Sequence, residues 1–322
     1  MSSVKLSIII PVYQVEQYVG KTLDTVFATE ARADEFEVIV VNDGTKDRSM
    51  EVVRQFAGRP NLTILEQENQ GLSSARMKGL SVASGDYVWF VDSDDYLVED
   101  GVGKVLKLLE ERPGADVLMF PYLNVYADSS KNRLSYQVDE ERIVTGKDVI
   151  RVLGLEVYSI VRYVLRRSLM DNKWLFFPVG LLHEDEYFGP VLLSLAEKVH
   201  VLPGHVYVHV HRPGSIMSTL SIRSSYDLVS IYRMLIRFME QALTPSDQSW
   251  FRPYCLGRLT SGYKRWADSY DVPGLGMFAL KNGFYVWHEW NKAFPESPFR
   301  KKVGRLFYYL MPGVHTRILG RG

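Results

Sequence analysis

YVWFVDSDDYL, residues 87–97, runs an apolar strand into three aspartates, Asp92, Asp94 and Asp95. Like charges this close repel, so their grouping needs a cause. An acidic turn is one reading, because Asp and Ser bend chains by bonding their own backbone. Neutralisation by a divalent metal is the other. Mg²⁺ and Mn²⁺ prefer oxygen ligands and commonly take one or two carboxylates together with substrate phosphates. Where the strand sits decides between them.

The flanking sequence alternates apolar runs with helical periodicity. KLSIIIPVY (5–13), FEVIVVND (36–43), NLTILEQ (61–67), DYVWFVD (86–92) and ADVLMFPY (115–122) read as strands. EQYVGKTLDTVFATE (16–30), RSMEVVRQFAG (48–58), LSSARMKGLSVASG (72–85) and EDGVGKVLKLLEER (99–112) read as helices between them. Strands that are continuously apolar are buried on both faces, and their alternation with helices implies parallel pairing. The expected fold class is α/β: a doubly wound, mostly parallel sheet with a helical C-terminal extension. Ligands of such sheets sit beyond the carboxyl ends of the strands. Pro11-Val12-Tyr13, Asn42-Asp43-Gly44 and Asp92–Asp95 all fall at such ends, so the acids are expected to share one edge. That placement favours the metal reading.

From about 123 to 200 the pattern mixes strands and short helices, and beyond 220 it is mostly helical. HVYVHVHRPGSIMST (205–219) alternates with period two and puts Tyr207, His209 and His211 on one face before a Pro-Gly turn. HEDEYF (183–188) sets acids before an apolar helical run. Helix capping explains them, since the positive helix N-terminus favours Asp and Glu. A general base facing a cleft is the alternative. Arg212 and the residues after it could hold a diphosphate by charge-assisted bonds.

Bulk properties narrow the class. With 38 basic and 38 acidic residues the formal net charge is zero, so no long-range attraction to nucleic acid is expected. One cysteine, Cys255, leaves no internal disulfide and fits a reducing compartment. The apolar run of the N-terminus breaks at Pro11, which reads as a strand rather than a signal peptide. No segment approaches the roughly 18 apolar residues of a membrane span. A cytoplasmic protein is expected. The basic, aromatic stretch at 297–322 reads either as a solvated helix or as a peripheral contact with the inner face of the cell membrane.

Taken in order, SIIIPVYQVEQYVGKTLDTVFATE, EVIVVNDGTKDRS, ENQGLSSARMKGLSVASGDYVWFVDSDDYL, FFPVGLLHEDEYF and HRPGSIM resemble the bacterial family 2 glycosyltransferases with the GT-A fold. The resemblance covers roughly residues 4–220. It implies a GT-A catalytic domain at 1–220, with a nucleotide-sugar half at 1–115 and an acceptor half at 116–220, followed by a helical region at 221–322. It implies an inverting, Mn²⁺- or Mg²⁺-dependent transfer from a nucleotide-sugar, most often UDP-linked, to a saccharide or lipid-linked saccharide acceptor of the cell surface. By matching position, Pro11 and Tyr13 would line the base pocket and Asp43 would contact the uracil. Asp92 and Ser93 would lie near the ribose, and Asp94 would ligate the metal. Asp185, with Glu184 beside it, would be the catalytic base, and Arg212 would lie near the phosphates. Arg76 falls in a stretch that usually borders the donor. His211 stands in a pattern that departs from the family's, and whether it ligates metal is left open.

Two other readings are carried. A sugar-1-phosphate nucleotidyltransferase would need a Gly- and Arg-rich loop after the first strand, which IPVYQVEQYVGK is not. A non-catalytic nucleotide-sugar-binding module would need neither Asp94 nor Asp185. A dinucleotide-binding dehydrogenase is disfavoured, because no G-x-G-x-x-G follows the first strand.

Overall fold

A computed structural model describes residues 4–155, 157–212, 222–267, 285–297 and 302. The expected Pro213-Gly214 turn and nearly all of the basic C-terminal stretch lie outside the described residues. The chain divides into two compact units, one of Met1–Gly180 with Glu184–Pro213 and one of Leu181–His183 with Gly214–Gly322.

The first unit opens as the apolar runs dictate. Strands β1 (Leu6–Val12), β2 (Phe36–Asp43), β3 (Leu62–Gln67) and β4 (Tyr87–Phe90) alternate with helices α1 (Val19–Phe27), α2 (Ser49–Arg54) and α3 (Leu72–Val82). All seven residues of β1 are buried, which is why it reads as an unbroken apolar run and takes the centre of its group. β2 and β4 flank it in parallel register, and β3 lies beyond β2. Helix α3 lies close to β1 and β2 because Gly79 has no side chain: a Cβ there would come within 2.4 Å of Ile9 Cγ2.

The later elements are β5 (Tyr96–Leu97), α4 (Gly101–Glu111), β6 (Val117–Met119), β7 (Tyr122–Val125), β8 (Arg133–Leu134), β9 (Arg142–Val144), α5 (Gly146–Arg151), β10 (Tyr163–Arg166), α6 (Asp185–Leu195), β11 (Val199–Val201) and β12 (Tyr207–Val210). The main sheet has the order β3-β2-β1-β4-β10-β6-β11-β9, and a second sheet has the order β5-β12-β7-β8. The α/β class with a mostly parallel sheet is therefore as expected, with two differences. Two strands run antiparallel to their neighbours, β10 between β4 and β6 and β9 at the edge beside β11. The run 115–122, expected as one strand, splits into β6 and β7 in different sheets, with Phe120 and Pro121 between them. Proline has no N–H for a ladder, so a break there is the low-cost solution.

Where β1 and β4 part, the order 3-2-1-4 makes a topological switch point. β4 pairs with β1 only as far as Ile9↔Phe90, whereas β2 follows β1 to Val12↔Asn42. Pro11 stands in the stretch that β4 no longer accompanies, a place where its missing N–H is tolerated. A crevice at such a point is where doubly wound sheets hold ligands.

The second unit contains α7 (Ile222–Ala242), α8 (Pro245–Ala267) and a helix over 285–293. A two-residue link turns α7 back into α8, and Phe238 meets Phe251 edge to face at 6.0 Å. Arg252 is ion-paired with Glu240 at 2.9 Å and with buried Glu289. Asp227 of α7 accepts the Leu182 N–H at 3.1 Å, and Ser224 meets His183 Nε2 at 2.5 Å. No helix of the described residues is long and apolar enough to cross a membrane.

Candidate active site

The loop after β1 is held by the turn after β2. Thr45 and Ser49 accept the N–H groups of Gln14 and Val15 at 2.8 and 3.0 Å, and Asp47 accepts that of Glu16 at 3.1 Å. Asp47 also takes bonds from the hydroxyls of Thr45 and Ser49. Burial alone would raise its carboxyl, but the hydrogen bonds from Ser49 and Thr45 outweigh that and hold it below the usual range. The result presents Tyr13 at the sheet edge, 43% exposed, beside buried Pro11.

Asp43 ends β2 only 3% exposed. Its Oδ1 accepts Gln67 Nε2 at 2.8 Å and the Gln70 N–H at 2.9 Å, and its Oδ2 accepts the Gly71 N–H at 2.9 Å. The carboxylate thus shapes the 67–71 loop. Gly44 follows at φ +68°, where a Cβ would come within 2.7 Å of the Asn69 nitrogen, so glycine is required.

The three aspartates after β4 have three different fates. Asp92 accepts Arg76 Nη2 at 2.7 Å. Asp94 accepts Arg212 Nε at 2.8 Å and Nη2 at 2.7 Å, both through Oδ2. Asp95 is buried and accepts the Tyr207 hydroxyl at 2.6 Å and the Val210 N–H at 2.8 Å, with His209 Nδ1 at 3.1 Å. The Tyr207 oxygen in turn accepts the Asp92 N–H at 3.2 Å. Thr22 Oγ1 stands 2.6 Å from the Asp95 carbonyl and 2.9 Å from that of Ser93. Asp95 is therefore a structural pin between the turn and β12, and protein cations already neutralise the other two acids.

Asp94 remains the electrostatically costly one. Burial, then the charges of Asp92 and Asp95, push its carboxyl above the usual range, with Arg212 acting against them. Its Oδ1 has no partner among the described residues. A half-buried carboxylate with a free oxygen, crowded by two acids, suits one bond to a hard divalent cation. Among the described residues no three acids, histidines or cysteines cluster as a complete metal cage. The remaining donors would have to come from substrate and water.

His211 lies 4.7 Å from His209, ring to ring, and stacks on Tyr126 at 4.0 Å. Its Nε2 meets Asn124 Oδ1 at 2.7 Å. Burial and the neighbouring His209 lower its pKa, so it stays neutral near pH 7. His209 goes the other way: burial opposes its charge, but Asp95, Asp92 and Asp94 favour it more.

Asp185 opens α6, half-buried. Its Oδ2 accepts the Ser159 N–H at 3.2 Å and its Oδ1 that of Glu186 at 3.0 Å. Burial, then the charges of Glu184 and Glu186, raise its carboxyl to about 7, while Arg76 acts in the opposite direction. That value is what a general base working near neutrality needs. Glu184 is bonded at 2.6 Å to Arg76 Nη1. Arg76, expected beside the donor, is 2% exposed and spends its guanidinium on Asp92 and Glu184.

The structure thus joins Asp92, Arg76, Glu184 and Asp185 on one side, and Asp94, Arg212, Asp95, Tyr207 and His209 on the other. Asp43 ends β2 and Asp92 follows β4, the strands on either side of β1. Sequence reasoning assigned no role to Tyr207, Thr22 or Asp47. The period-two face carrying Tyr207 and His209 was the available signal for the first of these.

Residues 7–169 match the sequence profile described as glycosyl transferase family 2. The chain belongs to that family. Its relatives include glycosyltransferase GlyA of Streptococcus pneumoniae serotype 4, 31% identical over 228 residues. That match covers 66% of this chain and 31% of GlyA, so the chain spans about a third of that relative's length. The poly(ribitol-phosphate) β-N-acetylglucosaminyltransferase TarS of Staphylococcus aureus is 26% identical over 236 residues, 72% of this chain and 40% of TarS. The crystal structure of TarS 1–349 in complex with UDP-GlcNAc superposes with a TM-score of 0.67 at 22% identity, covering 97% of this chain and 85% of that one. A mannosyltransferase of Pyrobaculum calidifontis, in complex with GDP-Man and Mn²⁺, has the same fold at a TM-score of 0.54 and 17% identity, over 98% and 88% of the two chains. The fold of this family 2 chain is accordingly of the GT-A type.

Proposed function

We propose that this chain transfers a sugar, with inversion at the anomeric carbon, from a UDP-sugar to a hydroxyl of a cell-surface saccharide or lipid-linked saccharide. One observation carries the reading. A carboxylate raised to about 7, Asp185, is tied through Glu184 and Arg76 to Asp92 at the sheet's switch point. The proposed base and the proposed donor edge are thereby linked through one arginine. TarS, which takes UDP-GlcNAc, supports the donor class.

Tyr13 and Pro11 would face the base, with Asp43 shaping the pocket through the 67–71 loop. Asp92 and Ser93 would lie at the ribose, and Arg212 would offset diphosphate charge. Asp185 would take the proton of the acceptor hydroxyl as that oxygen attacks C1 of the sugar, while the bond from C1 to the diphosphate breaks. Holding both reactants in line lowers the barrier by several kcal/mol through pre-paid entropy. Asp94 would hold Mn²⁺ or Mg²⁺, which would supply Lewis-acid neutralisation of the leaving group. The donor half is residues 1–115 and the acceptor half 116–220, with cytoplasm or the inner membrane face as the site of action.

Thermal stability with UDP, GDP and CMP, each with and without Mn²⁺, tests this in wild type and Asp94→Ala. UDP at 100 times its Kd should add about 2.7 kcal/mol, and that gain should need both Mn²⁺ and Asp94. A panel without any shift would refute the donor assignment. NMR of the product anomer checks inversion, and retained configuration would contradict it.

A further inference from the structure

We infer that Arg76 is a positioning residue that clamps the donor-side Asp92 to the base-bearing turn at Glu184, and that it does not itself bind the donor. The inference rests on the proposed roles of Asp92 and Asp185. Its geometric half stands without them.

Arg76 projects from α3, 16 residues from Asp92 and 108 from Glu184 in sequence. Nη2 reaches Asp92 at 2.7 Å and Nη1 reaches Glu184 at 2.6 Å, so the planar fork is divided between two elements. The residue is 2% exposed, and its Nε is buried without a partner among the described residues. A donor-binding arginine would keep a group turned outward. Arg76 does not. Below it, the guanidinium carbon stands 5.3 Å from the Phe177 ring centre, and Phe177 stacks at 4.2 Å on Phe188 of α6. Phe90 of β4 meets Phe177 edge to face at 5.0 Å. The ion pairs and the rings below them therefore join the same two elements, the end of β4 and the start of α6.

The charges explain why a clamp is needed. Glu184, Asp185 and Glu186 crowd the first turn of α6; Arg76 is bonded to Glu184, and its charge favours the ionised form of Asp185. Without it, Glu184 and Asp92 lose their shared partner. Glu184 and Glu186 then disfavour the charged form of Asp185 with less opposition. Removing one partner of a buried pair leaves an uncompensated charge.

The test uses the full chain carrying Arg76→Met, Arg76→Lys, Glu184→Gln and the double variant Arg76→Met/Glu184→Gln. UDP affinity is read by calorimetry with Mn²⁺, and turnover by UDP released from a UDP-sugar. Arg76→Met should lower kcat on the order of 100-fold, the loss expected when a catalytic group moves by about 1 Å. UDP affinity should change less than about threefold, on the order of 0.6 kcal/mol. The acidic limb of the pH profile should rise by about one unit, as expected on losing a nearby opposite charge. Arg76→Lys keeps the charge without the fork and should recover part of kcat. On urea denaturation, the double variant should cost less than the sum of the singles, because a neutral amide at position 184 no longer needs a cation. A loss confined to UDP affinity, with kcat and the acidic limb unchanged, would make Arg76 a donor ligand and overturn the inference. Additive effects at 76 and 184 would overturn the clamp itself. Wild-type protein that binds no UDP would instead sink the donor reading, and the denaturation cycle would still decide the clamp.

Discussion

Gly189→Ala should damage this protein more than any comparable change of one methyl group on its surface. Gly189 lies on α6 one turn after Asp185, and a Cβ built there would stand 2.1 Å from the Val157 carbonyl oxygen and 3.1 Å from its carbon. Both are backbone atoms, so no side chain can rotate away. The segment 157–159 must retreat by about 1 Å to restore contact distance, a strain of the kind that costs about 1–3 kcal/mol in a packed core. Ser159 ends that segment, and its N–H is the 3.2 Å donor to Asp185 Oδ2. Losing a hydrogen bond to a charged group adds about 1.5–3 kcal/mol. A total of about 2.5–6 kcal/mol should lower Tm by roughly 5–24 °C in a domain of this size. Turnover of a UDP-sugar should fall about 100-fold as the base shifts by about 1 Å. The lost bond had favoured the carboxylate, so the acidic limb should move above 7. Scanning calorimetry and a pH series of UDP release read all three. A Tm within a degree of wild type would refute the packing argument. A lowered Tm with unchanged turnover would refute the link from Ser159 to the base.

Two further variants test the site at other points. Asp185→Asn should abolish transfer yet spare UDP binding, and wild-type turnover should rise with pH through about 7 as the base deprotonates. The native carboxyl titrates above its unfolded value, so ionisation destabilises the fold from about pH 4 upward and fully above about 7. Asp185→Asn should therefore melt higher than wild type at pH 8 and not at pH 4, and an equal Tm at both would contradict the assignment. Asp43→Ala should cost about 1–3 kcal/mol, since it strands two part-buried backbone N–H groups and the Gln67 amide. Urea midpoints check this, and a loss below about 0.5 kcal/mol would show that Asp43 does not hold the 67–71 loop.

Much of the nucleotide-side half was legible. β2 matches its apolar run over 36–43, and β1 and β4 lie inside theirs, because strands buried on both faces leave an unbroken apolar signature. The antiparallel insertion of β10 was not legible, since four residues, Tyr163–Arg166, carry no mark of their partner strands. The acidic turn shows the same divide more sharply. Its position beyond a strand end could be read, but the separate fates of Asp92, Asp94 and Asp95 could not.

Local rules settled what the backbone does near each residue. Apolar periodicity set β1 to β4 and the helices of the first 112 residues, and the carboxyl ends of the strands marked the edge where acids gather. Those signals are short-range, arising from chain sterics and from the burial each residue demands. Tertiary structure alone decided which charge meets which. Arg76 bridges acids 16 and 108 residues away, Arg212 crosses 118 residues to Asp94, and Tyr207 and Val210 bury Asp95 from more than a hundred residues off. Electrostatic pairing acts through space over a few ångströms and leaves no period in the chain, so only the folded sheet could reveal it.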